Sequence, residues 1–169
     1  MTTTLVPNKT QDPGQRREAR ARFADKPEDF AKLGIEPGHI EAFEDGMRTR
    51  GGPGGYEWWY FDSHLNDGTS LVIVFYTKPQ LNPGGGLAPF ASLELNQPGQ
   101  PPISVEAHVS PEGFSASPDR CDVRIGENTF RGDLHDYDIH FSHDDVTVGV
   151  KLTGQVPSWR PTSGYMYFW

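Results

Sequence analysis

The chain has 169 residues, a net charge of −8 and a sequence pI near 5.1. The charge is uneven: residues 1–50 balance nine basic against nine acidic side chains, whereas residues 51–169 carry six basic and fourteen acidic ones. An acidic body of this kind argues against binding nucleic acid or an anionic membrane surface. The length suits one domain with a substantial core. The single Cys121 permits no internal disulfide and fits a reducing compartment. Met1–Pro7 has no apolar run of signal-peptide length, and no stretch approaches a transmembrane span. The expectation is a soluble, cytoplasmic protein with no integral membrane segment. Frequent Gly and Pro between short apolar runs point to an all-β domain with many turns.

Residues 1–50 read as an N-terminal extension. Residues 1–14 are polar and broken by Pro7 and Pro13, a disordered composition. Gln15–Ala24, with Arg16, Arg17, Arg20 and Arg22, reads as a short basic helix, either with a solvated face or as a tail folding onto the acidic barrel. Pro27–Gly34 has Pro and acids in its first turn and a closing Gly, which predicts a second helix. Pro37–Asp45, ended by Gly46, repeats the pattern with Ile40 and Phe43 on one face. The two later helices are expected to plug or flank a sheet.

From residue 51 the pattern changes to strands. The hinge Gly51-Gly52-Pro53-Gly54-Gly55 precedes Tyr56–Leu65, which holds five aromatic rings, two carboxylates and an imidazole in ten residues. The turn Asn66-Asp67-Gly68-Thr69 leads into the apolar run Leu71–Tyr76, a strong hairpin signal. In a strand, Tyr56, Trp58, Tyr60, Asp62 and His64 share one face, and Glu57, Trp59, Phe61, Ser63 and Leu65 share the other. Neither face is an ordinary polar exterior, so both need a cover or a cavity. Lys78–Pro89 follows as a long loop with Gly84-Gly85-Gly86, which reads as a lip over a barrel mouth. It lacks the Lys-Ser/Thr and helix of a phosphate loop.

The remaining strands are Phe90–Asn96, Ile103–Val109, Asp119–Gly126 and Thr129–Gly132, separated by Pro/Gly turns. Leu134–Ser142 and Val146–Leu152 alternate cleanly around Asp144-Asp145. About eight strands at close spacing predict a barrel or sandwich rather than an open sheet. Tyr165–Trp169 is a further apolar strand, whose partner is expected in the barrel, in a second copy or in a separately encoded second half. His135, Asp136, Asp138, His140 and His143 point to both faces and do not converge as metal ligands must. Cys121 shares an apolar face with Val123 and Ile125 and reads as core rather than nucleophile. Neither a Gly-x-Ser-x-Gly elbow nor a dinucleotide fingerprint is present.

Glu57-Trp58-Trp59-Tyr60-Phe61-Asp62, with His64-Leu65 and Asp67-Gly68, resembles the signature of the carotenoid 1,2-hydratase (hydroxyneurosporene synthase) family. AttH-like proteins, kievitone hydratase and lipocalin-like Diels–Alderases belong to the same group. A weaker likeness runs from Tyr56 to the end and includes Val156-Pro157-Ser158-Trp159-Arg160-Pro161. The resemblance implies a lipocalin-like antiparallel β-barrel over residues 51–169, the first of two such domains, with the second absent from this chain. It implies cofactor-independent hydration of a double bond or cyclisation of a hydrophobic polyene, isoprenoid or polyketide, in natural-product or carotenoid biosynthesis.

Protonating an alkene needs an acid kept neutral by burial, and aromatic faces stabilise the resulting cation. Asp62 and Glu57 are the candidate catalytic acids. Asp62 is preferred because it shares a face with Trp58, Tyr60 and His64, and Glu57 is then structural. Trp58, Trp59, Tyr60, His64 and Tyr76 are the candidate substrate contacts. The expected partners are a hydrophobic small molecule and either a second copy or a separately encoded second domain. The other reading makes the motif structural and the protein a non-catalytic lipocalin-like binder, or one subunit of a split two-domain enzyme.

Overall fold

The structure, a computed structural model, describes residues 20–82 and 84–168. In chain order it holds β1 (Ala21–Phe23), α1 (Pro27–Leu33), a 3-10 turn (Ala42–Asp45), β2 (Trp58–His64), β3 (Ser70–Tyr76), β4 (Phe90–Asn96) and β5 (Ile103–His108). A second 3-10 turn (Pro111–Gly113), β6 (Phe114–Ala116), β7 (Asp122–Ile125), β8 (Asn128–Gly132), β9 (Asp136–His143), β10 (Val146–Thr153) and β11 (Met166–Phe168) follow. Among the described residues strand far outweighs helix, and the strand pairs are antiparallel. Among the described residues no helix is long and apolar enough to cross a membrane.

The chain divides into two compact units: residues up to 38 with residues 160 onward, and His39–Trp159. In the first, β1 pairs with β11, Ala21 opposite Phe168 and Phe23 opposite Met166. The basic helix expected over Gln15–Ala24 is therefore a strand at Ala21–Phe23; Gln15–Ala19 lies outside the described residues, as do residues 1–14 and Trp169. The apolar C-terminal run finds its partner in this segment. Helix α1 forms where expected. Asp29 accepts the Lys26 backbone N–H at 3.1 Å and caps the first turn, while Gly34, at φ 68°, ends the helix. Arg22 clasps the same carboxylate with two bonds of 2.6 and 2.7 Å. Arg160 stands over the Phe30 ring and donates to the Glu36 carbonyl at 2.7 Å.

The second unit is two meanders. β2-β3-β4-β5 form one sheet, and β6-β7-β8-β9-β10 the other. The β2–β3 hairpin closes through the Asp67-Gly68 turn. Gly68 takes φ 85° and donates to Leu65 O, while Asp67 Oδ1 accepts from Thr69 N. That turn sets Trp58 opposite Tyr76 and His64 opposite Ser70. Trp59, Phe61, Ile73, Phe75 and Leu93 of one sheet pack with Val123, Ile125, Phe130, Ile139 and Phe141 of the other in one buried cluster. Each such side chain contributes about 1.5–3 kcal/mol by leaving water.

Three sequence expectations change here. Among the described residues no strand pairing joins the two sheets into a closed barrel. The link from β5 to β6 is the Pro111–Gly113 turn, where Pro111 brings no N–H to a ladder. The helix expected over Pro37–Asp45 shrinks to the 3-10 turn, because Gly38 turns left-handed at φ 75°. The turn starts at Glu41, whose N–H donates to the Glu44 carboxylate at 3.0 Å. The strand expected over Asp119–Gly126 covers only Asp122–Ile125, and β6 is an additional strand.

Candidate functional site

Strand β2 presents the two faces its alternation predicts, and they have different fates. Trp59 and Phe61 point into the core and are buried. Trp58 and Tyr60 point outward and are 51% and 54% exposed, with Asp62 and His64 exposed beside them. Asp62 therefore stands on the outer face of the four-stranded sheet, not between the sheets, and the burial asked of a proton donor is not found there.

The rings on that outer face are in register across all four strands. Trp58 is opposite Tyr76, Tyr76 opposite Phe90, and Phe90 opposite His108. Tyr76 stacks on Phe90 at 4.4 Å, Phe90 stacks on His108 at 4.9 Å, and Tyr56 leans on Trp58 at 5.1 Å. Burial pushes the Tyr56 hydroxyl up, and Tyr76 adds to it. Such ring pairs add about 0.5–1.5 kcal/mol each beyond their buried area. The row combines strand pairing with a large apolar surface, and its Trp58 end is open to solvent.

Glu57 has a different job. Its carboxylate accepts from the N–H groups of Arg48 and Thr49 at 2.5 and 2.9 Å and from the Thr49 hydroxyl at 2.7 Å. Its backbone pairs with Thr77. Three charge-assisted bonds bind the segment after the 3-10 turn to the start of β2. Of the two candidate acids, one anchors backbone and one faces solvent, and their side chains do not converge.

A partly buried acid of this unit stands outside the E-W-W-Y-F-D motif. Asp45 closes the 3-10 turn, and its Oδ2 accepts from the Tyr137 hydroxyl at 2.6 Å. Its backbone carbonyl accepts from Trp59 Nε1 at 3.2 Å. Burial pushes the Asp45 carboxyl up, and hydrogen bonds from Tyr137 and Cys121 offset part of that. Burial, with Asp45 next, also raises the Tyr137 hydroxyl and the Cys121 thiol. Cys121 is a core thiol, almost fully buried. Gly132 makes room for Tyr137, since a Cβ there would overlap the ring. Nothing in the periodicity flags Asp45; its position just before Gly46 is the only local signal.

A cleft of about 480 Å³ lies at one end of the five-stranded sheet, with Asp122, Arg131, Asp138 and Lys151 on its wall. These four alternate in sign across paired strands, with Arg131 on Asp122 at 3.0 Å and Lys151 near Asp138 at 3.8 Å. They form an exposed charge ladder that satisfies itself, worth about 0–1 kcal/mol per pair. His135 pairs with Asp136 and His143 with Asp144, and among the described residues no three His, Cys, Asp or Glu side chains gather as metal ligands.

The second group missed in the sequence is Lys78, two residues beyond Tyr76. It is 1% exposed, and its ammonium donates to Gly52 O at 2.8 Å and Gly85 O at 2.5 Å. The available signal was a lone lysine ending an apolar strand between two glycine clusters. Comparisons with family models, curated proteins and solved structures find no match for this chain.

Proposed function

We propose that this chain binds a hydrophobic polyene, isoprenoid or polyketide on the outer face of its four-stranded sheet. There it supports cofactor-independent hydration or cyclisation of that ligand, in the cytoplasm. The observation that carries the reading is the pair Trp58 and Tyr60, two large rings half exposed side by side beside Asp62. Exposed aromatic surface with a few polar groups is the usual make-up of a ligand or docking site. The E-W-W-Y-F-D motif and its resemblance to the hydroxyneurosporene synthase family favour the same ligand class. We extend the proposal to the fold: two antiparallel meanders over one core favour a lipocalin-like barrel left open between its two sheets.

A second reading has its own observation. Asp62 is exposed, which favours a non-catalytic binder or one subunit of a split enzyme whose second domain or second copy covers this face. Titrating retinol against the tryptophan fluorescence tests both. Saturable binding that Trp58→Ala and Tyr60→Ala weaken by about tenfold or more, the loss of a ring contact, supports the face as the site. Turnover of a bound polyene that Asp62→Asn abolishes separates enzyme from binder. Binding that ignores both ring substitutions overturns the reading.

A further inference from the structure

We propose that Lys78 is the anchor for an acidic head group, so that the ligand of the ring-bearing face is a hydrophobic carboxylate rather than a neutral hydrocarbon. This inference rests on the reading of that face as the ligand site.

The ammonium of Lys78 is almost wholly removed from water, and among the described residues no carboxylate pairs with it. Burying a charge is costly unless it is paired and hydrogen-bonded. Its acceptors are two backbone carbonyls of glycines, which supply dipoles and no counter-charge. An ammonium has three donors, and these bonds use two. A methionine of similar length would fill the same space without that cost, so the charge calls for a further partner.

Position supplies the second part of the argument. Thr77 N donates to Glu57 O at 3.0 Å, extending the β2–β3 ladder by one step, and Lys78 falls next in line, across from Tyr56. The ammonium therefore lies at the strand end from which Tyr56, Trp58 and Tyr76 rise. Its cover is thin. A Cβ at Gly52, Gly84 or Gly86 would meet nothing within 4 Å. Tighter packing is found at Gly51, against Leu87, and at Gly85, against the Asn82 side chain. Gly52, the open one, is the replaceable partner: a ligand carboxylate takes the free donor and displaces its carbonyl. A single ammonium suits a singly charged carboxylate, whereas a dianionic phosphate calls for several cations or a row of N–H groups. The acidic surface opposes an anion at long range, but salt screens that field within about 10 Å.

The test compares retinoic acid with retinol, which share one skeleton, on the full chain. The wild type is expected to bind the carboxylate about tenfold tighter or more, as one added charged hydrogen bond implies. Lys78→Met should erase that ratio while retinol binding persists, and Lys78→Arg should keep it; circular dichroism confirms that each variant is folded. Equal affinities in the wild type overturn the proposal and leave the ring-face reading intact, as does a carboxylate preference that survives in Lys78→Met. If neither compound binds the wild type, both readings fall. If Lys78→Met does not fold, Lys78→Gln, which keeps a donor for the glycine carbonyls without the charge, takes its place: loss of the ratio supports the proposal and its survival overturns it.

Discussion

The Tyr137 hydroxyl, on the five-stranded sheet, donates to Asp45 Oδ2 at 2.6 Å, while the backbone carbonyl of the same Asp45 holds Trp59 of the four-stranded sheet at 3.2 Å. One residue of a four-residue turn thereby ties a strand of each sheet at the same end of the core. Arg48 continues the strap by donating to the Phe43 and Pro118 carbonyls, and Glu57 fastens its far end.

Because burial raises the Asp45 carboxyl, its contribution to stability is fully present below the unfolded value near 3.8 and fades as pH rises through the higher folded value. Asp45→Asn keeps an acceptor for Tyr137 and removes the charge. Relative to wild type, its melting temperature should improve between pH 4 and pH 7. Tyr137→Phe should cost about 1–2 kcal/mol, the loss of a donor to a partly buried carboxyl. A wild-type minus Asp45→Asn difference that is flat with pH, or of opposite slope, would contradict this assignment.

Asp29 titrates the other way. The Arg22 hydrogen bonds hold its carboxyl down to about 2, so the stability it confers is present above the unfolded value near 3.8 and is lost as pH falls through about 2. Asp29→Asn should therefore melt earlier than wild type at pH 5 to 7, with the gap closing toward pH 2. A gap that persists unchanged at pH 2 would mean that the pair with Arg22 is not its source.

Glu57→Gln replaces one accepting oxygen by an amide NH2, a donor facing donors. The expected loss is about 1–3 kcal/mol, from partners left unsatisfied. Urea unfolding should show a lower midpoint with the same slope. An unchanged midpoint would remove Glu57 from the role of clamp.

Adjacent tryptophans on β2 should behave oppositely. Trp59→Ala opens the core and should cost about 3–5 kcal/mol. Trp58→Ala, on the exposed face, should cost under about 1.5 kcal/mol, the value of an aromatic pair, while removing most retinol-induced quenching. If Trp58→Ala proves the more destabilising of the two, the assignment of faces is inverted.

Much of the β architecture was legible in the residues. Period-two alternation and turn chemistry act over a handful of positions, so Asp67-Gly68 was enough to predict the β2–β3 hairpin, and Asp144-Asp145 the β9–β10 pair. Alternation also divided Tyr56–Leu65 into two faces, but rings on both left their direction open. Only the packing of Trp59 and Phe61 against Ile139 and Phe141 decided it. The same holds for β1 pairing with β11, for two open sheets in place of a closed barrel, for Asp45 under Tyr137, 92 residues away, and for Lys78 beneath two glycine segments. Each depends on contacts between distant parts of the chain, and local periodicity carries no information about which distant surfaces will meet.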